Sequence, residues 1–200
     1  MAYLVQYPEK KPGTVLVLRS PPRSGKNILT DFIGKEVLGS ELFFASSDLG
    51  RILGRFNSCI QARKLILLNE TGMVSGEWQK ANDHLKSLIT EPYITIERKG
   101  IEPKTIKDFA GYMVLSNHDA PLRVEMGDGR IVCLDVSPRC KGNMGYFKQL
   151  GKILEHPNTP SNFMSYLLKR DLSNWIPQDI PNTKMKVETM WGHLPTPSDS

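Results

Sequence analysis

Thr14 to Asn27 reads TVLVLRSPPRSGKN, and Leu65 to Glu70 reads LILLNE. The first segment is an apolar run of strand length, a tight loop ending in Ser24-Gly25-Lys26, and a stretch from Asn27 to Leu38 that carries Ile28, Phe32, Val37 and Leu38 near helical spacing before Gly39. The second is another apolar run, closed by two polar residues. Short continuous apolar runs of this kind are buried on both faces, as in a parallel sheet covered by helices. The chain is therefore expected to be α/β, with a mainly parallel central sheet and flanking helices.

Strand, loop and helix in that order are the layout of a phosphate-loop (P-loop) nucleoside triphosphatase. Such a loop works because successive backbone N–H groups and the positive end of the following helix face the phosphates together. Gly25 supplies the close backbone approach, Ser24 precedes it, and Lys26 is placed to reach the outer phosphates. Two fixed positions of the pattern G-x-x-x-x-G-K-[ST] are nevertheless not met. Ser20 stands at the first glycine, and Asn27 stands where a hydroxyl would hold magnesium. Pro21-Pro22 also stiffen the loop.

In the second segment Asn69 and Glu70 lie at the carboxyl end of a strand, where open α/β sheets bind ligands. A carboxylate at the first of these positions would hold magnesium, and one at the second would orient the attacking water. Asn69 is neutral, so Asn27 and Asn69 together form a weak Mg2+ site, while Glu70 is the candidate for polarising water.

From Leu85 to Val136 the chain reads LKSLITEPYITIERKGIEPKTIKDFAGYMVLSNHDAPLRVEMGDGRIVCLDV. Tyr93–Glu97 alternates as a strand, Arg98-Lys99-Gly100 reads as a turn, and 101–106 can return as its partner. Gly111 to Asn117 is an apolar strand ending in Asn, followed by a turn-forming Ser-Asn-His-Asp, and Gly129 to Val136 is a further apolar segment led by Arg130. With the loop and the LILLNE strand, these segments resemble superfamily 3 helicases, hexameric ring ATPases of the AAA+ class found in papillomavirus, parvovirus and poxvirus-type replication proteins. The poxvirus-type primase-helicase group looks nearest, and the resemblance spans residues 14–170.

The resemblance implies an inserted β-hairpin that grips a nucleic-acid backbone in the ring's channel, with Lys99 at its tip and Arg98 and Lys104 as supporting charge. It implies that Asn117 senses the γ-phosphate, and that Arg130 is an arginine finger reaching into a neighbouring subunit. Arg139 and Arg123 are weaker candidates for a second phosphate-sensing cation. ATP and Mg2+ are the implied cofactors. Single-stranded or forked DNA, further copies of the chain in a hexameric ring, and a separately encoded primase or origin-binding protein are the implied partners.

A net charge of +5 with pI near 9.1 suits a phosphate-rich partner without establishing one. Cys59, Cys133 and Cys140 have no metal-ligand spacing, and their odd number points to reduced thiols in an intracellular compartment, nucleus or cytoplasm. His84, His118, His156 and His193 lack ligand spacing with one another. No run approaches membrane-span length, and no signal peptide is evident. Further helices are expected at Ser46 to Leu53, Ser75 to Ile89, Met144 to Leu154 and Asn162 to Leu172, with Trp78 and Cys133 read as core. Residues 1–13 read as a lead-in, 14–176 as the ATPase core, and 177–200 as an extended or disordered tail.

Two functions follow from these residues. One is an ATP-dependent DNA helicase motor core, hydrolysing ATP at subunit interfaces during replication of a viral or mobile element. The other is a degenerate, non-hydrolysing relic of the same fold acting as a DNA-binding or assembly module, because both groups expected to hold magnesium are amides.

Overall fold

The computed structural model describes residues 1–69, 75–118, 124 and 128–191, with backbone only for 75–80. Its frame is five parallel strands: β1 (Val15–Arg19), β2 (Phe43–Ser46), β3 (Leu65–Asn69), β6 (Gly111–Ser116) and β7 (Ile131–Asp135). They lie in the order β2-β3-β6-β1-β7. Between β3 and β6 the chain inserts an antiparallel hairpin, β4 (Tyr93–Arg98) and β5 (Ile101–Lys107), which forms its own two-stranded sheet. The expected mainly parallel α/β architecture and the inserted hairpin are both present.

Alternation along the strands divides the core between two faces. Val15, Val17, Ile66, Leu68, Tyr112, Val114, Ile131 and Cys133 point to one side. They meet Leu85, Leu88 and Ile89 of helix α4 (Ser75–Thr90), Ile94 and Ile96 of the hairpin, and Met185 of α7 (Lys184–Trp191). Leu18, Leu65, Leu67, Met113 and Leu115 point to the other. There they meet Leu4 of α1 (Ala2–Gln6), Phe32, Ile33 and Val37 from the segment after β1, and Leu167 of α6 (Thr159–Lys169). A period of two along each strand thus fills two apolar layers at once.

Three stretches differ from the sequence reading. The lead-in 1–13 belongs to the core: Leu4 is buried, Gln6 Nε2 donates to the carbonyls of Leu167 and Arg170, and the buried Lys64 ammonium donates to the carbonyls of Pro8 and Lys10. Part of 177–200 is ordered, since α7 packs Met185 into the core and buries Lys186, whose ammonium donates to the Asp128 carbonyl at 2.6 Å. The buried side of α7 is itself mostly polar, Lys186 and Thr189 beside Met185, so composition gave no sign of it. Finally, the region read as one helix from Ser46 to Leu53 holds the end of strand β2 and a single turn, α3 (Gly50–Leu53).

The helix after β1 is also unusual. Lys26–Asp31 (α2) is α-helical, but Phe32–Val37 continues as a π-turn, with Leu38 N donating to Ile33 O at 2.9 Å. The buried residues of the whole segment are Thr30, Phe32, Ile33, Gly34 and Val37, while Ile28, in the α-helical turn before the widened one, is exposed. Gly34 is what lets this turn sit on β2: a Cβ there would lie 2.4 Å from the Phe43 ring. Replacing Gly34→Ala is expected to lower stability by about 1–3 kcal/mol, with Phe43→Leu recovering part of the loss in the double variant, as measured by denaturant melts.

Candidate functional site

The carboxyl ends of β1, β6 and β3 gather the residues that the motifs single out. β1 ends at Arg19, and the chain turns through Ser20 to Gly25 before α2 begins at Lys26. Arg23 and Gly25 both take positive φ, 66° and 87°, and a side chain at Gly25 would also meet the Phe147 ring at 2.9 Å. Glycine is therefore required at 25 for both backbone and space. Lys26 turns back over the strand ends. Its ammonium donates to the carbonyls of Ser20 at 3.1 Å and Ser116 at 2.9 Å, and to Asn117 Oδ1.

Two residues 91 positions apart, Lys26 and Asn117, are thus brought into contact. Asn117 is exposed directly after β6. One strand further on, Asn69 is half-buried at the end of β3, in register with Leu115. Asn27 is exposed in the first turn of α2. The expectations for Glu70 and Arg123 fall outside the described residues, as does the side chain of Trp78. No cluster of three His, Cys, Asp or Glu side chains suited to a metal occurs among the described residues.

On the β7 side of the loop lies a cleft of ≈ 540 Å³. Ser24 and Gly25 form part of one wall with Ile28 and Leu29, while Tyr146 and Phe147 of helix α5 (Met144–Leu154) form the other. The two rings meet edge to face at 5.2 Å. Arg139, from the turn after β7, also lines the cleft, which puts this cation beside the loop. The sequence reading placed α5 correctly but gave Tyr146 and Phe147 no role; their only signal was two adjacent aromatics in a helix whose residues are all at least partly exposed.

Arg19, the residue before the loop, is held by two acids that were not singled out from sequence. Its guanidinium meets Asp135 of β7 at 2.6 and 3.0 Å and Glu188 of α7 at 2.9 Å. The β1–β7 register sets Arg19 against Asp135, so the first pair follows from strand pairing alone.

Arg130 is not part of the Lys26 site within the chain. It precedes β7, and its carbonyl accepts from Val15 N at the amino ends of the strands, roughly 16 Å of strand away from the loop. Its guanidinium takes both oxygens of the buried Asp128, at 3.0 and 3.1 Å, and its backbone N–H donates to the same carboxylate at 2.9 Å. Burial pushes the Asp128 carboxyl up, but the Arg130 side-chain and backbone bonds, with the Arg130 and Lys86 charges, outweigh it and hold the carboxyl below its ordinary 3.8.

The hairpin has the expected tip. Arg98 pairs with Ile101, leaving Lys99-Gly100 as a two-residue turn with Gly100 at φ 75°. Lys99 and Lys104 are exposed, and the Arg98 guanidinium donates to Gln61 Oε1 at 2.8 Å. The buried Asn57 fixes the middle of β4, donating to Thr95 O and accepting from Glu97 N, both at 3.0 Å.

The fold and its strand-end loop define a mainly parallel α/β domain with flanking helices. The family described as of unknown function, DUF5906, matches residues 18–130, more than half of the sequence, and the chain belongs to that family. It is 28% identical over 137 residues to the DNA primase-polymerase of Nitratiruptor phage NrS-1, an alignment covering 65% of this chain and 18% of that protein. The chain thus spans less than a fifth of its curated relative. Among solved structures, the apo C-terminal region of the NrS-1 protein superposes with a TM-score of 0.80 at 19% identity, over 96% of this chain and 45% of that one. The JCV helicase, solved with a bound thiazolopyridine compound, gives 0.50 at 12% identity, over 95% and 53%. At these identities the two structures establish the shared fold. No described helix is long and apolar enough to cross a membrane.

The Asp128 geometry yields a pH-dependent expectation. Because the folded carboxyl is held below its unfolded value, its stabilisation is complete above about pH 4 and is lost as pH falls through the folded value. Arg130→Gln should therefore lower stability near neutral pH, and its gap from the wild type should narrow on acidification below pH 4, as read from thermal melts without nucleotide. An equal gap at pH 3 and pH 7 would contradict that assignment.

Proposed function

We propose that the domain is the motor core of a superfamily 3 type DNA helicase, binding ATP on the Ser24–Asn27 loop and acting as an oligomer. The observation that carries this reading is the meeting of Lys26 with Asn117 above the ends of β1 and β6. A cation from a glycine loop and an amide from the adjacent strand then face one another where outer phosphates would lie. On nucleotide binding Lys26 exchanges its carbonyl partners for phosphate oxygens. Asn117 is left to bond the terminal phosphate and the attacking water, since an amide both donates and accepts.

Magnesium would neutralise charge on the outer phosphates when bound. Asn27 and Asn69 fit it only as neutral oxygen donors, so the nucleotide's own phosphates would supply most of its coordination. Glu70 is assigned to orienting water. Arg130, fastened to Asp128 at the far end of the strands, would reach a phosphate only in a neighbouring copy. Its finger role therefore requires assembly into a ring. Lys99, Arg98 and Lys104 are assigned to the DNA backbone, with a separately encoded primase or origin-binding protein as a partner in replication.

The two amides favour a second reading: a phosphate-loop relic that binds DNA or assembles without turning over ATP. Steady-state hydrolysis with and without single-stranded DNA separates the two. DNA-stimulated turnover lost in Lys26→Ala supports the motor, while absence of turnover in folded, oligomeric protein supports the relic.

Under either reading, Lys99→Ala should weaken DNA binding about uniformly across sequences. The slope of log affinity against log salt should fall by about 0.7–0.9, as one phosphate contact is removed. Unchanged affinity across a salt series would remove the hairpin from the DNA interface.

A further inference from the structure

The order of the strands gives the phosphate site a direction. Lys26 meets Asn117 on the β6 side of β1, and Asn69 ends β3 one strand beyond. The outer phosphates therefore belong on that side. The nucleoside must leave the loop on the opposite side, toward β7, and the cleft between α2 and α5 opens there against Ser24 and Gly25.

What lines this cleft decides how a base would be read. Ile28, Leu29, Phe32, Leu150, Leu154, Tyr146 and Phe147 present apolar and aromatic surface. Ile28 and Leu29 are 38% and 47% exposed, although they lie in the first turn of a helix packed on the sheet. Among the described residues, the lining includes no side-chain amide and no carboxylate, the side chains that would pair two-pronged with adenine or with guanine. Ser137 Oγ accepts from Arg139 N at 3.3 Å, which caps the turn after β7. The lining cation, Arg139, lies within a few residues of the end of β7, which pairs with β1 just before the phosphate loop.

We propose that this cleft holds the nucleobase by stacking on Tyr146 and Phe147, so that the domain selects purine nucleotides over pyrimidine nucleotides without distinguishing adenine from guanine. The inference rests on the nucleotide-binding reading above and adds the substrate class. Stacking tolerates any flat ring and grows with ring area, whereas discrimination between bases of similar shape needs buried polar groups that the wrong base leaves unpaired.

Calorimetric titration of the full chain with the magnesium complexes of ADP, GDP and CDP, and with tripolyphosphate, tests this. The expected result is ADP and GDP within about threefold of each other and CDP about tenfold weaker. Tyr146→Ser, at an exposed position outside the buried core, should weaken both purine nucleotides several-fold while leaving tripolyphosphate unchanged; Phe147→Leu should do the same from the inner ring. A preference for ADP over GDP above about thirtyfold would overturn the proposal, because it demands a group reading the base edge. The reverse preference would overturn it by placing Arg139 on guanine. Equal binding of ADP, CDP and tripolyphosphate would overturn the base cleft while leaving the phosphate loop standing. Failure of folded protein to bind any of the four would overturn the nucleotide site itself, and this inference with it.

Discussion

One backbone carbonyl, that of Ser116, ties the strand-end loop to the sheet. It accepts from Ser20 N at 3.1 Å and from the Lys26 ammonium at 2.9 Å. The first bond extends the β1–β6 ladder by one step beyond Arg19, and so fixes where the chain leaves the sheet. The second holds the loop's cation over the same strand. Asn117 is the next residue, and its position beside Lys26 follows from that carbonyl's place in the ladder. With the loop pinned at its start and its cation, Gly25 can hold a positive φ without further side-chain support.

A parallel sheet buried on both faces makes this arrangement rigid. Each strand contributes to two apolar layers, so a shift of β6 against β1 would disturb both at once. On the far side of the loop, Arg19 joins β1 to β7 and α7 through Asp135 and Glu188. Asp135 and Glu188 are about half exposed, so these pairs contribute more to placing α7 than to stability. The loop, β1, β7 and α7 are thereby held in one frame.

Much of this was legible in the sequence because it depends on local pattern. The apolar runs located β1, β3 and β6 to within about a residue and β7 to within two, Arg98-Lys99-Gly100 marked the hairpin turn of which Lys99-Gly100 proves the tip, and α5 matched its expected bounds. What escaped depends on packing between distant segments. β2 is four residues long and has a half-buried centre, too short to display a period. The π-turn at Phe32–Val37 arises from the fit of Gly34 against Phe43, which helical spacing alone does not report. The lead-in was read only as a stretch before the first strand and the α7 segment as a polar tail, yet Leu4 and Met185 anchor each of them. At the strand ends, Lys26 was singled out by the loop pattern and Asn117 by the family resemblance, whereas Tyr146, Phe147 and the acids on Arg19 became visible only once the chain was folded. Arg130 was singled out by the same resemblance, but nothing in the sequence marked Asp128 as its partner two residues away.

The hairpin carries a further consequence. Between Ile96 and Arg98 its register shifts, so that Glu102 and Pro103 together face Glu97. A proline has no N–H to give, and it falls at the extra residue where the ladder can spare one. β5 is exposed along nearly its whole length and would otherwise offer a free row of backbone groups to any passing strand. The proline, the bulge and the charges of Glu102, Lys104 and Lys107 spoil that row as a template. A hairpin edge of this kind can stay open to solvent at high protein concentration without neighbouring edges zipping into a sheet of their own.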